Sequence, residues 1–123
     1  MKQYLNNKEE IVMKILWKLQ RAFLKEITEL YPKPKPPVTT IASIVKKLEQ
    51  RGFVEHRTIG KTHQYIPTLK QDEYKKSQLR SLVQNYFSGS FEELVSFFYQ
   101  DENVDIEELN KIYEDIKSKE PKQ

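Results

Sequence analysis

The sequence predicts a mainly α chain with one small β-hairpin, arranged as two successive regions, residues 1–69 and 70–123. Three observations predict it. Apolar residues recur at helical spacing in six stretches. The spacing changes once, after Gly52, to two short extended runs around a glycine. Charge also divides along the chain. Residues 1–69 carry 13 Lys/Arg against 6 Asp/Glu, a net +7, and residues 70–123 carry 8 against 12, a net −4.

The first helix is expected over residues 7–20. Asn7 can cap it, Glu9 and Glu10 suit its positive N-terminal end, and Val12, Ile15, Leu16 and Leu19 share one face. Trp17 reads as a core or junction residue. A second helix is expected over 22–31, with Phe23, Ile27, Leu30 and Tyr31 inward. PKPKPP follows. Four prolines in six residues cannot continue a helix, so this is an extended connector.

The third helix is VTTIASIVKKLEQRGF. Ile41, Ile44, Val45 and Leu48 follow the i, i+3, i+4, i+7 spacing of a half-buried helix. Thr39, Ser43, Lys46 and Gln50 fall on the opposite side, flanked by Ala42 and Lys47. Thr39 or Thr40 is the expected cap, and Gly52 the expected stop. The outer face is short, polar and basic. Small polar side chains can reach base edges in a major groove, and lysines can reach phosphates. Phe53–Arg57 and Thr62–Ile66 then read as a hairpin centred on Ile59-Gly60, with Arg57 and Lys61 near its tip. That centring sets His56 against His63. Two imidazoles do not complete a metal site, so packing or a phosphate hydrogen bond is the expected use, with no metal.

Helix, helix, helix, hairpin is the winged helix-turn-helix order. In it the third helix enters the major groove and the wing lies on the backbone. Residues 1–69 are therefore expected to be a DNA-binding domain, with Thr39, Thr40, Ser43, Lys46, Lys47, Arg57 and Lys61 facing DNA. A winged helix can also serve as a protein-interaction module without DNA binding, the rival expectation.

Three amphipathic helices are expected beyond a linker at 69–76. Leu79, Leu82, Val83, Tyr86 and Phe87 mark the first. Phe91, Leu94, Val95 and Phe98 mark the second, capped by Ser90. Ile106, Leu109, Ile112, Tyr113 and Ile116 mark the third, after a break at Asp101–Asp105. So short a region buries little core alone. Pairing of two chains is the economical solution, and it supplies two reading helices for a palindromic site. Leu82, Val83, Phe87, Leu94, Phe98, Leu109, Ile112 and Ile116 are the expected dimerisation residues.

The composition narrows the function further. The chain has no cysteine, which removes disulfides and thiolate metal sites. No apolar run approaches the roughly 20 residues that span a membrane. MKQYLNNKEE lacks a signal-peptide core, so a cytoplasmic location is expected. No phosphate-binding loop, activated nucleophile or metal motif is present. Neither an enzyme nor a cofactor is expected.

Four strings carry a resemblance: EEIVMKILWK, TTIASIVKKLEQRGFVEH, GKTHQYIP and GSFEELVSFF. Over residues 8–117 the chain resembles the penicillinase-repressor (BlaI/MecI/CopY) family. The resemblance implies a homodimeric transcriptional repressor with winged domains on an operator and C-terminal helices holding the dimer. In the family the reading helix usually carries Lys-Thr-x-Arg-Thr. Here Thr39, Thr40, Ile41, Ala42 and Ser43 stand at those positions, which implies a different operator. In the antibiotic-resistance members a membrane sensor protease triggers cleavage at an Asn-Phe bond. Phe97-Phe98 matches that place, without the asparagine. The copper-responsive branch uses C-terminal cysteines, which this chain lacks.

Overall fold

A computed structural model describes residues 4–118. Residues 1–3 and 119–123, the outer ends of the two expected regions, lie outside it. The elements run α1 (Asn7–Leu19), β1 (Ala22–Phe23), α2 (Leu24–Leu30), α3 (Val38–Gln50), β2 (Val54–Ile59), β3 (Thr62–Pro67), α4 (Gln71–Tyr86), α5 (Phe91–Tyr99) and α6 (Ile106–Ser118). The described residues are thus mainly α with one small antiparallel sheet, as the sequence predicts.

The cap of α1 is Asn6, not Asn7. Asn6 Oδ1 accepts from the Glu9 N–H at 2.8 Å, and Glu9 Oε1 accepts from the Asn6 N–H at 3.0 Å. Both sequence positions offer an asparagine followed three residues later by a glutamate. Only the Asn6 pair closes the reciprocal box. Glu9 is buried, and Arg51 Nη1 meets the same carboxylate oxygen at 2.8 Å. Arg51 also donates to the Tyr4 carbonyl and lies 5.0 Å from the centre of the Phe53 ring. This one guanidinium ties the start of α1 to the end of α3.

Ala22 and Phe23, expected to be helical, form a third strand. They pair with Tyr65 and Gln64, giving the sheet order β1-β3-β2. The helix that follows has only seven residues. Ile27 and Tyr31 are buried, but Leu30 is half exposed, against expectation.

α3 begins at Val38, with Pro37 before it and no side-chain cap. Thr40 and Ile41 N–H groups both donate to the Pro37 carbonyl, so the proline starts the helix and the threonines lie inside its first turn. Ile41, Ile44, Val45 and Leu48 are buried as expected. Gly52, at φ +83°, ends the helix. Its N–H bonds the Glu49 carbonyl and the Phe53 N–H bonds the Leu48 carbonyl, a Schellman closure that needs a left-handed residue.

The core of residues 4–78 joins α1, α2, α3 and the sheet. Val12, Met13, Leu16, Ile27, Ile41, Val45 and Leu48 are its largest fully buried side chains. Tyr74, on the first turn of α4, is buried with them and meets both Trp17 and Phe53. Trp17 is a core-edge residue whose Nε1–H donates to the Leu69 carbonyl at 2.8 Å. Two compact units divide after Gln78, within α4. In the second unit Ser90 caps α5, as expected, by accepting from the Glu93 N–H at 3.2 Å. Asp105 does the same for α6 through the Glu107 and Glu108 N–H groups.

Candidate nucleic-acid interface

α3 owes its place to its inner face, which the core anchors along its length. Its outer face is left to solvent. Thr39, Ser43, Lys46 and Gln50 are exposed and share one stripe, at successive steps of four, three and four residues. Thr40 and Lys47 run along one flank, with Thr40 half-buried and Lys47 exposed. Ala42 and Glu49 run along the other flank, which faces the wing. Among the described residues Lys46 and Lys47 take part in no ion pair. The helix thus presents short polar groups at its start and two unneutralised lysines in its second half.

The wing differs from the sequence expectation in register. Ile59 pairs with Thr62, so the two-residue loop is Gly60-Lys61, with Gly60 at φ +63°. Glycine serves the first loop position, not the second. His56 therefore lies opposite Tyr65, and His63 opposite Thr58. The histidines are diagonal neighbours, yet their ring centres are 4.2 Å apart. Arg57 and Lys61 are exposed, Arg57 on the sheet face opposite to the histidines and Lys61 in the loop. Sequence reasoning missed the contact between Glu49 Oε2 and His56 Nδ1, which joins α3 to the wing. A glutamate at the end of one element and a histidine seven residues on give no periodic signal. Among the described residues no group of three or more His, Cys, Asp or Glu is placed to hold a metal.

The sequence model described as penicillinase repressor matches residues 5–118. The chain belongs to the penicillinase-repressor family. It is 25% identical over 104 residues to the penicillinase repressor of Bacillus licheniformis, covering 84% of this chain and 81% of that protein. It is 27% identical over 105 residues to the methicillin resistance regulatory protein MecI of Staphylococcus aureus (strain N315), covering 82% and 85%. MecI of Mammaliicoccus sciuri is 26% identical over 105 residues, with the same coverage. Members of the penicillinase-repressor family are transcriptional repressors, DNA-binding regulators rather than enzymes.

The match to the penicillinase-repressor family extends through the second unit, which is rich in bare apolar surface. Leu82, Phe98, Ile112 and Ile116 are exposed, and Phe87, Leu94 and Leu109 are half-buried. Val83, expected at the dimer contact, is already buried within one chain. Phe91, Phe97 and Tyr113, which are not among the expected dimerisation residues, are each more than half exposed. Neither α5 nor α6 has a buried residue. Phe97 and Phe98 lie on α5, and the Phe97 ring meets Phe87 edge-on at 5.6 Å. Among the described residues no helix is long and apolar enough to cross a membrane.

Proposed function

We propose that this chain is a homodimeric transcriptional repressor that binds a palindromic DNA operator in the cytoplasm. One observation carries the reading: α3 stands on a buried apolar face and offers DNA an uncommitted stripe of Thr39, Ser43, Lys46 and Gln50. Thr39, Thr40 and Ser43 read base edges near the helix start. Lys46 and Lys47 hold phosphates, and Arg57 and Lys61 fix the flanking backbone through the wing. The bare apolar residues of α4, α5 and α6 support pairing of two chains, because monomers rarely leave such surface in water. A twofold dimer presents two α3 helices to two half-sites. Release follows from a sensor-triggered protease cutting α5 at Phe97-Phe98, which removes α6 from the dimer contact.

The test is fluorescence anisotropy of the full chain on labelled DNA from upstream of its own gene and of neighbouring genes, against a shuffled duplex, over a salt series. Preferential binding with a steep salt slope is expected. Equal affinity for every duplex, or a salt-insensitive protein partner in place of DNA, overturns the reading.

A further inference from the structure

Four polar side chains, Glu49, His56, Thr58 and His63, meet where α3 joins the wing. Val54, His56 and Thr58 alternate onto one face of β2, with Tyr65 and His63 opposite them on β3. Val54 is buried, so this face turns to the helices at its base and opens to solvent toward the tip. His56 Nδ1 contacts Glu49 Oε2, and His63 Nδ1 lies 3.4 Å from Thr58 Oγ1. The two imidazoles stack, tilted by 38°. Glu49 follows Lys46 by three positions, so the two are neighbours on the helix surface. The cluster therefore borders the proposed phosphate-binding stripe.

The chemistry of the Glu49 contact decides what His56 can do. An ionised carboxylate only accepts, so it holds the single proton of a neutral imidazole on Nδ1. Nε2 is then a bare lone pair. Among the described residues it has no hydrogen-bond partner, and a phosphate oxygen cannot use it. A second proton changes both ends of the ring. Nε2 becomes a donor, and the imidazolium offsets the Glu49 charge that otherwise repels DNA. We propose that His56, held by Glu49 and stacked on His63, is a proton-gated contact to the DNA backbone, which makes operator affinity rise as pH falls.

This inference rests on the repressor reading above. Histidine changes charge between about pH 5 and 8. The other charged or titratable groups around the pair are Glu49 and Lys46 on α3, Tyr65 on β3, Lys61 in the loop and Lys25. Phe23, Leu24, Lys25, Thr62, His63 and Tyr65 line one shallow groove beside the pair. Burial, with Glu49 adding to it, holds the Tyr65 phenol above its usual range, so it stays neutral throughout.

The experiment is operator anisotropy from pH 5.5 to 8.5 at fixed ionic strength. Wild-type affinity rises toward acid, with a limit of about tenfold per pH unit for each proton taken up on binding. His56→Gln flattens that profile and keeps the salt slope at pH 8. His56→Lys carries its charge permanently. It binds several-fold more tightly than wild type at pH 8 and shows a flat profile, a gain that misfolding cannot imitate. Glu49→Gln frees the tautomer and tightens binding at pH 8. Parallel pH profiles for wild type and His56→Gln overturn the proton gate while leaving the repressor reading intact. A wild-type protein with no salt-dependent operator preference at any pH overturns the repressor reading and the gate together.

Discussion

Lys46→Ala isolates the electrostatic part of the proposed interface. Lys46 is exposed on the outer stripe of α3 and has no ion-pair partner among the described residues. Removing it orphans no carboxylate, and alanine is a good helix former, so the fold should not suffer. Each phosphate neutralised on duplex DNA contributes about 0.9 to the slope of log affinity against log salt. Over a fourfold salt range, 50 to 200 mM, one contact is therefore worth a factor of about 3.5. A dimer loses two copies, so the salt ratio of the variant should shrink about twelvefold relative to wild type. The assay is anisotropy on the operator at several salt concentrations, with melting curves to confirm folding. A sequence reader would respond differently: Ser43→Ala should lower affinity for the operator more than for a shuffled duplex and leave the slope alone. An unchanged slope in a folded Lys46→Ala protein would refute the assignment of Lys46 to a phosphate.

Other perturbations reach the fold and the dimer. Arg51→Met leaves the buried Glu9 carboxylate with only the Asn6 N–H. It should cost about 2 kcal/mol, read by denaturant unfolding through Trp17, the single tryptophan and a reporter of the first unit. Burial chiefly, and the Glu10 charge after it, hold the Tyr74 phenol above its ordinary value of 10.0, with a Leu5 backbone hydrogen bond opposing. The unfolded chain ionises first, so this stability is complete below pH 10 and is lost as pH rises through the folded value. Tyr74→Phe should therefore soften alkaline unfolding, and Tyr65, shifted the same way, should account for part of what remains. Leu109→Asp puts a charge in the proposed dimer surface. Sedimentation should show monomers, and operator affinity should fall about a hundredfold with the second half-site gone; a monomer that binds as tightly as wild type would remove the case for pairing.

The parts legible in the sequence are those where one strong signal had no competitor. The 3.6-residue spacing of Ile41, Ile44, Val45 and Leu48 allows one buried face, and Gly52 after Arg51 allows one stop. Where two local solutions compete, the sequence alone chose badly. Asn6 and Asn7 both precede a glutamate by three. Thr39 and Thr40 are better caps than Pro37 in isolation, but the proline's fixed φ starts the helix earlier. Ala22-Phe23 runs straight into a helical pattern, and only the distant partner β3 makes it a strand. The hairpin register hung on which loop position Gly60 fills. An error there moved each histidine to another partner. The candidate site was legible on α3, where the outer face follows from the inner one. The Glu49–His56 link was not, because it depends on how a helix end and a strand meet in space.

On the proposed reading, the two faces of α3 separate folding from DNA reading, so a family member at 25–27% identity to its relatives can keep the core face while the outer face changes. Ile41, Ile44, Val45 and Leu48 are fixed by the core, since trimming a buried aliphatic side chain costs about 2–5 kcal/mol. Thr39 and Ser43, on the outer stripe, bear no such load. Changes there would alter the proposed base contacts at a folding cost within about 0.5 kcal/mol. Ala42 sits on the flank toward the wing and is half-buried, so a longer side chain there must lie along the helix surface. The groups proposed to bind the DNA backbone would be less free, because phosphate contacts set how a reading helix lies in the groove before any base is read. If α3 reads DNA as proposed, two or three outward substitutions would re-aim it at a new operator, with Lys46, Lys47 and the wing still setting its depth.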